Sequence, residues 1–358
     1  MQSYLTSVKK IQFELSSTCN LLCLGCVRTD PVNFNQKKEF IEHKQYLSKE
    51  TFLKIVSAKE FESATHLEFC GTIDDPLMHP EFLEMLQLGQ QVRKFTVNIH
   101  SNASLRTPDY WTNLAETLLL HKSHQVNFSI DGLKDTNHIY RQGSNWDKIM
   151  KNASAFIQAG GYAVWQYLIF PWNAHQVEAA RALSKKMGFA EFHQRIDRSI
   201  ATQLGLEKIS QRKHSTEIIK SKYSSLNDII IELKEKTNDS IECNNQKNQM
   251  YFVSYEGKLW PCCFIQNGLL AADAGKRELL KDRTAYGDPA WNDCNINSIS
   301  DILRHSFFAE DLVDSWKSNN YGVGSKHRIH RCTEVCSKKK IKELPIGQHK
   351  ITEFVLEE

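Results

Sequence analysis

The sequence predicts an α/β fold, a partial (β/α)6 barrel followed by a small cysteine-rich C-terminal domain. Three observations carry this. Over the first 200 residues, six short runs rich in β-formers alternate with helical stretches. After residue 200 the composition shifts to Lys, Ser and Glu. From residue 239 onward the chain is loop-rich and holds six of its ten cysteines.

The expected strands are residues 11–15, 66–69, 95–100, 125–130, 163–169 and 190–193. Each is short, apolar or alternating. The expected helices lie between them. Residues 48–61 carry Phe52, Ile55 and Phe61 at roughly helical spacing. Residues 80–92 begin on Pro80, suited to a first turn. Residues 108–120, 145–158 and 174–187 follow, the last ending at Gly188, a C-cap residue. Strand–helix alternation implies a parallel sheet with crossover helices. In such barrels the chemistry sits at the C-terminal ends of the strands. The expected organisation is a barrel over 1–200, a helical linker over 201–238 with apolar spacing at Leu226, Ile229, Ile230 and Leu233, a metal-stabilised domain over 239–345 and a tail over 346–358.

Charge and hydropathy exclude some classes. The 45 basic and 42 acidic residues leave a net charge of +3, too balanced to argue for nucleic acid or a membrane surface. No apolar run is long enough to span a bilayer. The first residues, Met1-Gln2-Ser3-Tyr4-Leu5, lack a signal-peptide apolar core, so a cytoplasmic location is expected. In a reducing cytosol, clustered cysteines point to metal binding or catalysis rather than disulfides.

Cys19, Cys23 and Cys26 follow the first strand in a C-x3-C-x2-C run. Three thiolates around a four-iron cubane leave one iron without a protein ligand, whereas clusters that only carry electrons normally have four cysteines. Structural zinc takes four ligands, usually as paired C-x2-C units, which this run fits badly. Further along stand Asp74-Asp75-Pro76, Ser101-Asn102, Ser129-Ile130-Asp131-Gly132 with Arg141, and Phe170-Pro171-Trp172-Asn173, each at or just after a strand end. Taken alone, acids before Pro and Ser-Asn pairs are ordinary turn formers.

Together these segments resemble the radical S-adenosylmethionine (SAM) superfamily, which implies a partial TIM-like barrel. The resemblance implies a [4Fe-4S] cluster on Cys19, Cys23 and Cys26 and SAM bound at its open iron. Asp74 and Asp75 stand where the family has Gly-Glu before Pro and would meet the methionine amine. Ser101 and Asn102 would meet the ribose or the methionine carboxylate, Ser129 and Arg141 the carboxylate, and Asn173 the ribose or adenine. The family's aromatic residue before the third cysteine is Gly25 here, so Phe170 or Trp172 would take the adenine contact. The C-terminal cysteines resemble the SPASM and twitch extensions of the superfamily, with Cys243, Cys262, Cys332 and Cys336 as ligands of one auxiliary [4Fe-4S] cluster. Cys263 or Cys294 are alternative ligands, and a zinc knuckle using His327, His330 or Cys294 is the rival reading.

The implied activity is reductive cleavage of SAM to a 5′-deoxyadenosyl radical, which removes hydrogen from a small metabolite, a sugar or a peptide. An electron donor such as flavodoxin or ferredoxin is the implied partner. The first strand begins within about ten residues, which leans the expectation towards a small molecule or towards a partner that recruits the peptide. The alternatives from other classes are a non-catalytic iron–sulfur electron carrier and a zinc-stabilised binding protein.

Overall fold

The computed structural model describes residues 4, 5, 7–24, 26, 28, 29, 44–170, 172–196, 232–266, 290–317, 329, 332 and 335–343. Six strands alternate with helices as the sequence predicts: β1 (Lys10–Phe13), α1 (Lys49–Val56), β2 (His66–Phe69), α2 (Phe82–Val92), β3 (Thr96–Ser101), α3 (Pro108–Leu119), β4 (Ser123–Ser129), α4 (Asn137–Tyr140), α5 (Trp146–Gln158), β5 (Ala163–Ile169), α6 (Val177–Met187) and β6 (Glu191–Ile196). All six strands pair in parallel, each with its sequence neighbour, forming an open α/β barrel sheet.

Local chemistry sets the helix ends. The Ser48 hydroxyl accepts from Thr51 N–H at the start of α1, Thr107 does the same for Tyr110 ahead of Pro108 in α3, and Asn145 for Lys148 in α5. Gly188 ends α6 at φ +88°, a left-handed position that favours glycine. Strand side chains alternate between two faces. On β2 and β3 the buried members are Leu67, Phe69, Val97 and Ile99, which join the apolar core. Phe13, Phe52, Phe69 and Phe82 pack in contact there, and Trp111, Phe128 and Phe156 form a second aromatic group between α3, α5 and the sheet.

The other face is polar. Gln125 and Gln166 both donate to Asn127 Oδ1, at 2.8 and 2.9 Å. Asn127 Nδ2 donates to Asn98 at 2.5 Å and lies 3.3 Å from His100 Nε2, and His100 reaches Glu68 at 3.2 Å. A polar network therefore crosses β2, β3, β4 and β5 along their inner side.

The expected six-stranded sheet is extended by the C-terminal segment. After β7 (Glu232–Ile241), β8 (Met250–Val253) runs parallel to β1, from Lys10↔Met250 to Phe13↔Val253, and β9 (Leu259–Trp260) pairs antiparallel with β8. The loop-rich composition of this segment suggests little apolar material for a core. Instead Tyr251, Phe252, Trp291, Phe307 and Phe308 join the same core as the barrel. The helical linker expected over 201–238 lies outside the described residues as far as 231. From Glu232 the backbone is strand, because β7 pairs antiparallel with β10 (Ser337–Glu343). The expected tail over 346–358 lies outside the described residues. Among the described residues no helix is long and apolar enough to cross a membrane.

Two buried carboxylates cross-link the end of β1 to the loop after β2. Glu14 Oε2 accepts from Thr72 N–H at 2.7 Å, the Thr72 hydroxyl at 2.9 Å and Ile73 N–H at 3.3 Å. Asp74 Oδ2 accepts from Leu15 N–H at 2.9 Å and Ser16 N–H at 3.1 Å. A Cβ on Gly71 would stand 1.6 Å from Asp74 Oδ1, so the loop requires glycine there. Glu14 Oε1 and Asp74 Oδ1 are buried without partners. Burial lifts Glu14 from 4.5 to about 7, opposed by the Thr72 and Ile73 hydrogen bonds, and burial and Glu14 raise Asp74.

This packing makes two predictions. Phe69→Ala should lower stability by about 3–5 kcal/mol, read as a shifted urea midpoint. Glu14 holds its proton more tightly folded than unfolded, so its contribution is fully present below its unfolded value and is lost as pH rises from 4.5 through about 7. The melting temperature should fall across that window, and Glu14→Gln should flatten the slope. An unchanged slope in the variant would show that the Glu14 carboxyl does not carry it.

Candidate functional site

The cysteine loop crosses the C-terminal ends of the barrel strands and is pinned through its backbone. Leu22 N–H donates to Gln142 O at 3.1 Å and Leu24 N–H to Tyr140 O at 3.2 Å. Cys26 N–H donates to Cys23 O at 3.0 Å, which folds the loop tightly, and the Thr29 hydroxyl donates to the same oxygen at 2.8 Å. Gly25 lies outside the described residues.

The segments picked out by sequence converge on this loop. Asn102 Nδ2 lies 3.6 Å from Cys19 Sγ and donates to Asn20 Oδ1 at 2.9 Å. Arg141 Nη1 lies 3.9 Å from Cys23 Sγ, while its Nε donates to Asp131 Oδ2 at 2.7 Å. Burial opposes the charge of Arg141, yet Asp131 and Cys23 hold its affinity for the proton above the ordinary range. Burial and Asp75 lift the Cys19 thiol to about 12. Burial lifts Cys23 to about 11 against the pull of Arg141. A metal that takes these thiols as thiolates must displace their protons.

Several of the expected ligand contacts make hydrogen bonds within the protein. Asp75 is buried, and its carboxylate accepts from Leu77 N–H at 3.1 Å, Asn102 N–H at 2.8 Å and the Ser101 hydroxyl at 3.0 Å. It therefore fixes the Ser101-Asn102 turn. Asp74 is committed to the end of β1, as described above. Asn173, expected to meet ribose or adenine, is fully buried. Its Nδ2 donates to Asp131 O and Leu168 O, both at 2.9 Å, and its Oδ1 accepts from Phe170 N–H at 2.7 Å. All its polar atoms brace the loop after β5. Ser129 ends β4, half-buried. Beside Arg141, Tyr140 packs on Phe170 at 4.5 Å between ring centroids, and Phe170 stacks on Trp172 at 4.6 Å, with Trp172 Nε1 buried and unpartnered.

Sequence reasoning missed Glu14 and Arg28. Nothing in spacing marks a buried acid in an apolar strand, and a lone Arg after a cysteine reads as surface. Arg28 is almost wholly buried, and its Nη1 donates to Cys19 O at 3.2 Å. Among the described residues its Nε and Nη2 are buried without partners. An unneutralised buried guanidinium is costly. Three thiolates carrying a cubane make a net anion, so the charge and the orphaned donors of Arg28 fit that group.

A second set of thiols lies beside β8 and β9. Cys243, Cys262, Cys332 and Cys336 line one cavity with Tyr4, Ile265 and Trp316, and neither Cys263 nor Cys294 lines it. The β7–β10 pairing brings two of them together: Ser337 faces Ile241, and Glu242 N–H donates to Cys336 O at 2.8 Å. A hydrogen bond from Cys336 pulls Cys243 down to about 6. The Tyr4 hydroxyl is 3.6 Å from Cys243 Sγ. Cys294 is buried elsewhere, its N–H donating to Gly257 O at 2.9 Å. His327 and His330 lie outside the described residues.

Comparison with known proteins bears on the barrel. The chain is 26% identical over 136 residues to the tungsten-containing aldehyde ferredoxin oxidoreductase cofactor-modifying protein of Pyrococcus furiosus, a stretch covering 38% of this chain and 34% of the relative. The chain thus spans about a third of that relative's length. Its fold is similar to that of Streptococcus suis SuiB bound to S-adenosylmethionine, with a TM-score of 0.54 at 14% identity over 88% of this chain and 67% of the other. It is also similar to histidine-tagged anSMEcpe with bound S-adenosylmethionine, with a TM-score of 0.50 at 14% identity over 84% of this chain and 80% of the other. The Radical SAM superfamily model matches residues 13–183, from the first strand through α6. The three-cysteine loop at the end of β1, the parallel barrel beneath it and this match identify residues 13–183 as a radical SAM domain.

Proposed function

We propose that the chain is a radical SAM enzyme that removes hydrogen from a small polar metabolite and carries one auxiliary [4Fe-4S] cluster. The observation that carries the substrate reading is the polar inner face of the barrel, where Glu68, Asn98, His100, Asn127 and Gln166 form a connected network next to the cysteine loop. Such a face presents polar groups suited to hydroxyl, amine or carboxylate groups of a substrate. The Pyrococcus furiosus relative is named for cofactor modification, which also favours a compact molecule.

Cys19, Cys23 and Cys26 would hold the catalytic cluster. When bound, that cluster supplies the single electron that cleaves SAM into methionine and a 5′-deoxyadenosyl radical. The protein's part is positioning and electrostatics. Asn102 and Arg141 direct N–H groups at the sulfurs of Cys19 and Cys23, and such hydrogen bonds tune a cluster's potential. Asp75 and Asp131 fix those two donors. The Tyr140, Phe170 and Trp172 group offers an apolar wall for adenine, and the unpartnered Trp172 Nε1 a donor. Cys243, Cys262, Cys332 and Cys336 would hold the auxiliary cluster, which suits a net oxidation by accepting an electron from the substrate radical.

The test is anaerobic reconstitution followed by dithionite and SAM, with 5′-deoxyadenosine read by mass spectrometry. Wild-type protein should form it and Cys23→Ala should not. Iron should be about eight per chain in the wild type and about four in Cys243→Ser, on a four-iron count for each cubane. SAM cleavage without substrate should survive in Cys243→Ser. No 5′-deoxyadenosine from iron-loaded wild type would sink the enzyme reading. Iron near four in the wild type would sink the auxiliary cluster alone.

A further inference from the structure

Glu68, Cys70 and His100 form a cluster of metal-binding side chains that belongs neither to the cysteine loop nor to the four-thiol cavity. One donor atom from each, an oxygen, a sulfur and a nitrogen, lies within 4.8 Å of the other two. The sheet register explains the meeting. Glu68 pairs with Asn98 and Phe69 with Ile99, so the next residues along, Cys70 and His100, stand side by side at the strand ends. Glu68 is two residues back on β2 and shares their face. We propose that these three residues bind a divalent transition metal of the zinc type, leaving a fourth coordination position open towards the polar inner face.

The donor chemistry fits. Zinc takes sulfur, imidazole nitrogen and carboxylate oxygen, and three protein ligands with one open position is the pattern of reactive rather than structural zinc. Bonds of about 2.0–2.1 Å to nitrogen and oxygen set a tetrahedral edge of roughly 3.3 Å. Glu68 Oε1 and His100 Nε2 stand 3.2 Å apart. The Cys70 sulfur lies within 4.8 Å of both.

The surroundings behave as supports for ligands. Asn98 hydrogen-bonds Glu68, and the Asn127 amide, 3.3 Å from His100 Nε2, would release that nitrogen to the metal. Asn127 is itself locked by Gln125, Gln166 and Asn98. An outer partner such as Asn98 orients a metal ligand and raises affinity. His100 precedes Ser101 and Asn102, and Cys70 precedes the loop bearing Asp74 and Asp75. A cation here would sit one residue from the groups that support the cysteine loop, where it can fix a polar ligand through an oxygen or nitrogen atom.

The experiment uses the full chain with its iron clusters loaded, dialysed anaerobically against zinc and then against metal-free buffer. Zinc is measured by mass spectrometry and its surroundings by X-ray absorption at the zinc edge. The expectation is about one zinc per chain with one sulfur and otherwise nitrogen or oxygen neighbours. His100→Gln and Glu68→Gln should each lower retained zinc to background at unchanged iron content and circular dichroism. Equal zinc in wild type and both variants, no retained zinc, or a shell of sulfur alone would overturn the assignment, the last because the zinc would then sit on cluster cysteines. If a variant misfolds, the wild-type coordination shell decides alone. None of these readouts depends on SAM cleavage.

Discussion

The cysteine loop depends on buried carboxylates that accept hydrogen bonds from the backbone of neighbouring loops. Chain crossing the mouth of a barrel has amide groups that find neither strand partners nor water, and each unpaired one is costly. Glu14, Asp74, Asp75 and Asp131 meet that need. Between them they accept from the amides of Leu15, Ser16, Thr72, Ile73, Leu77, Asn102 and Leu168. All but the local Leu77–Asp75 bond tie the end of one strand to a different loop. Burial makes Glu14, Asp74 and Asp75 reluctant to ionise. Arg28 and Arg141 supply positive charge close by, one almost wholly buried and one held by Asp131.

The barrel was legible because its signals are local. Alternation on β2 and β3, Pro108 at a helix start and Gly188 at a helix end each act within a few residues. The three cysteines were legible for the same reason. The SAM-side residues were legible as positions but not as roles. Asp75 and Asn173 lie at the strand ends where sequence expects them, yet their side chains are consumed by the protein itself. Motif spacing reports which loop a residue occupies, not whether its polar atoms are already satisfied. Long-range pairing was out of reach. Nothing near Met250 announces that it will lie beside Lys10, or that β7 will meet β10 rather than form a helix.

That pairing changes how the C-terminal segment is understood. Few apolar residues and many cysteines suggested a module needing metal to fold. Its aromatic residues instead enter the barrel's own core, and β8 takes the side of β1 left open by β2. The four-thiol cavity is built against Tyr4, which precedes β1, so its walls come from segments far apart in the sequence. The two sets of thiols are thus parts of one packed body, with β1 and β8 between them.

The partnership of Lys10 with Met250 also sets an order of events during synthesis. Strands β1 to β6 can pair as they leave the ribosome, each with the one before it. One side of β1 must wait until the chain has been made past Val253. Until then it is an exposed sheet edge, the kind that invites pairing with another chain. Closing a contact across so much sequence is slow. The far edge of β1 is therefore the last side of the barrel sheet that the chain can cover.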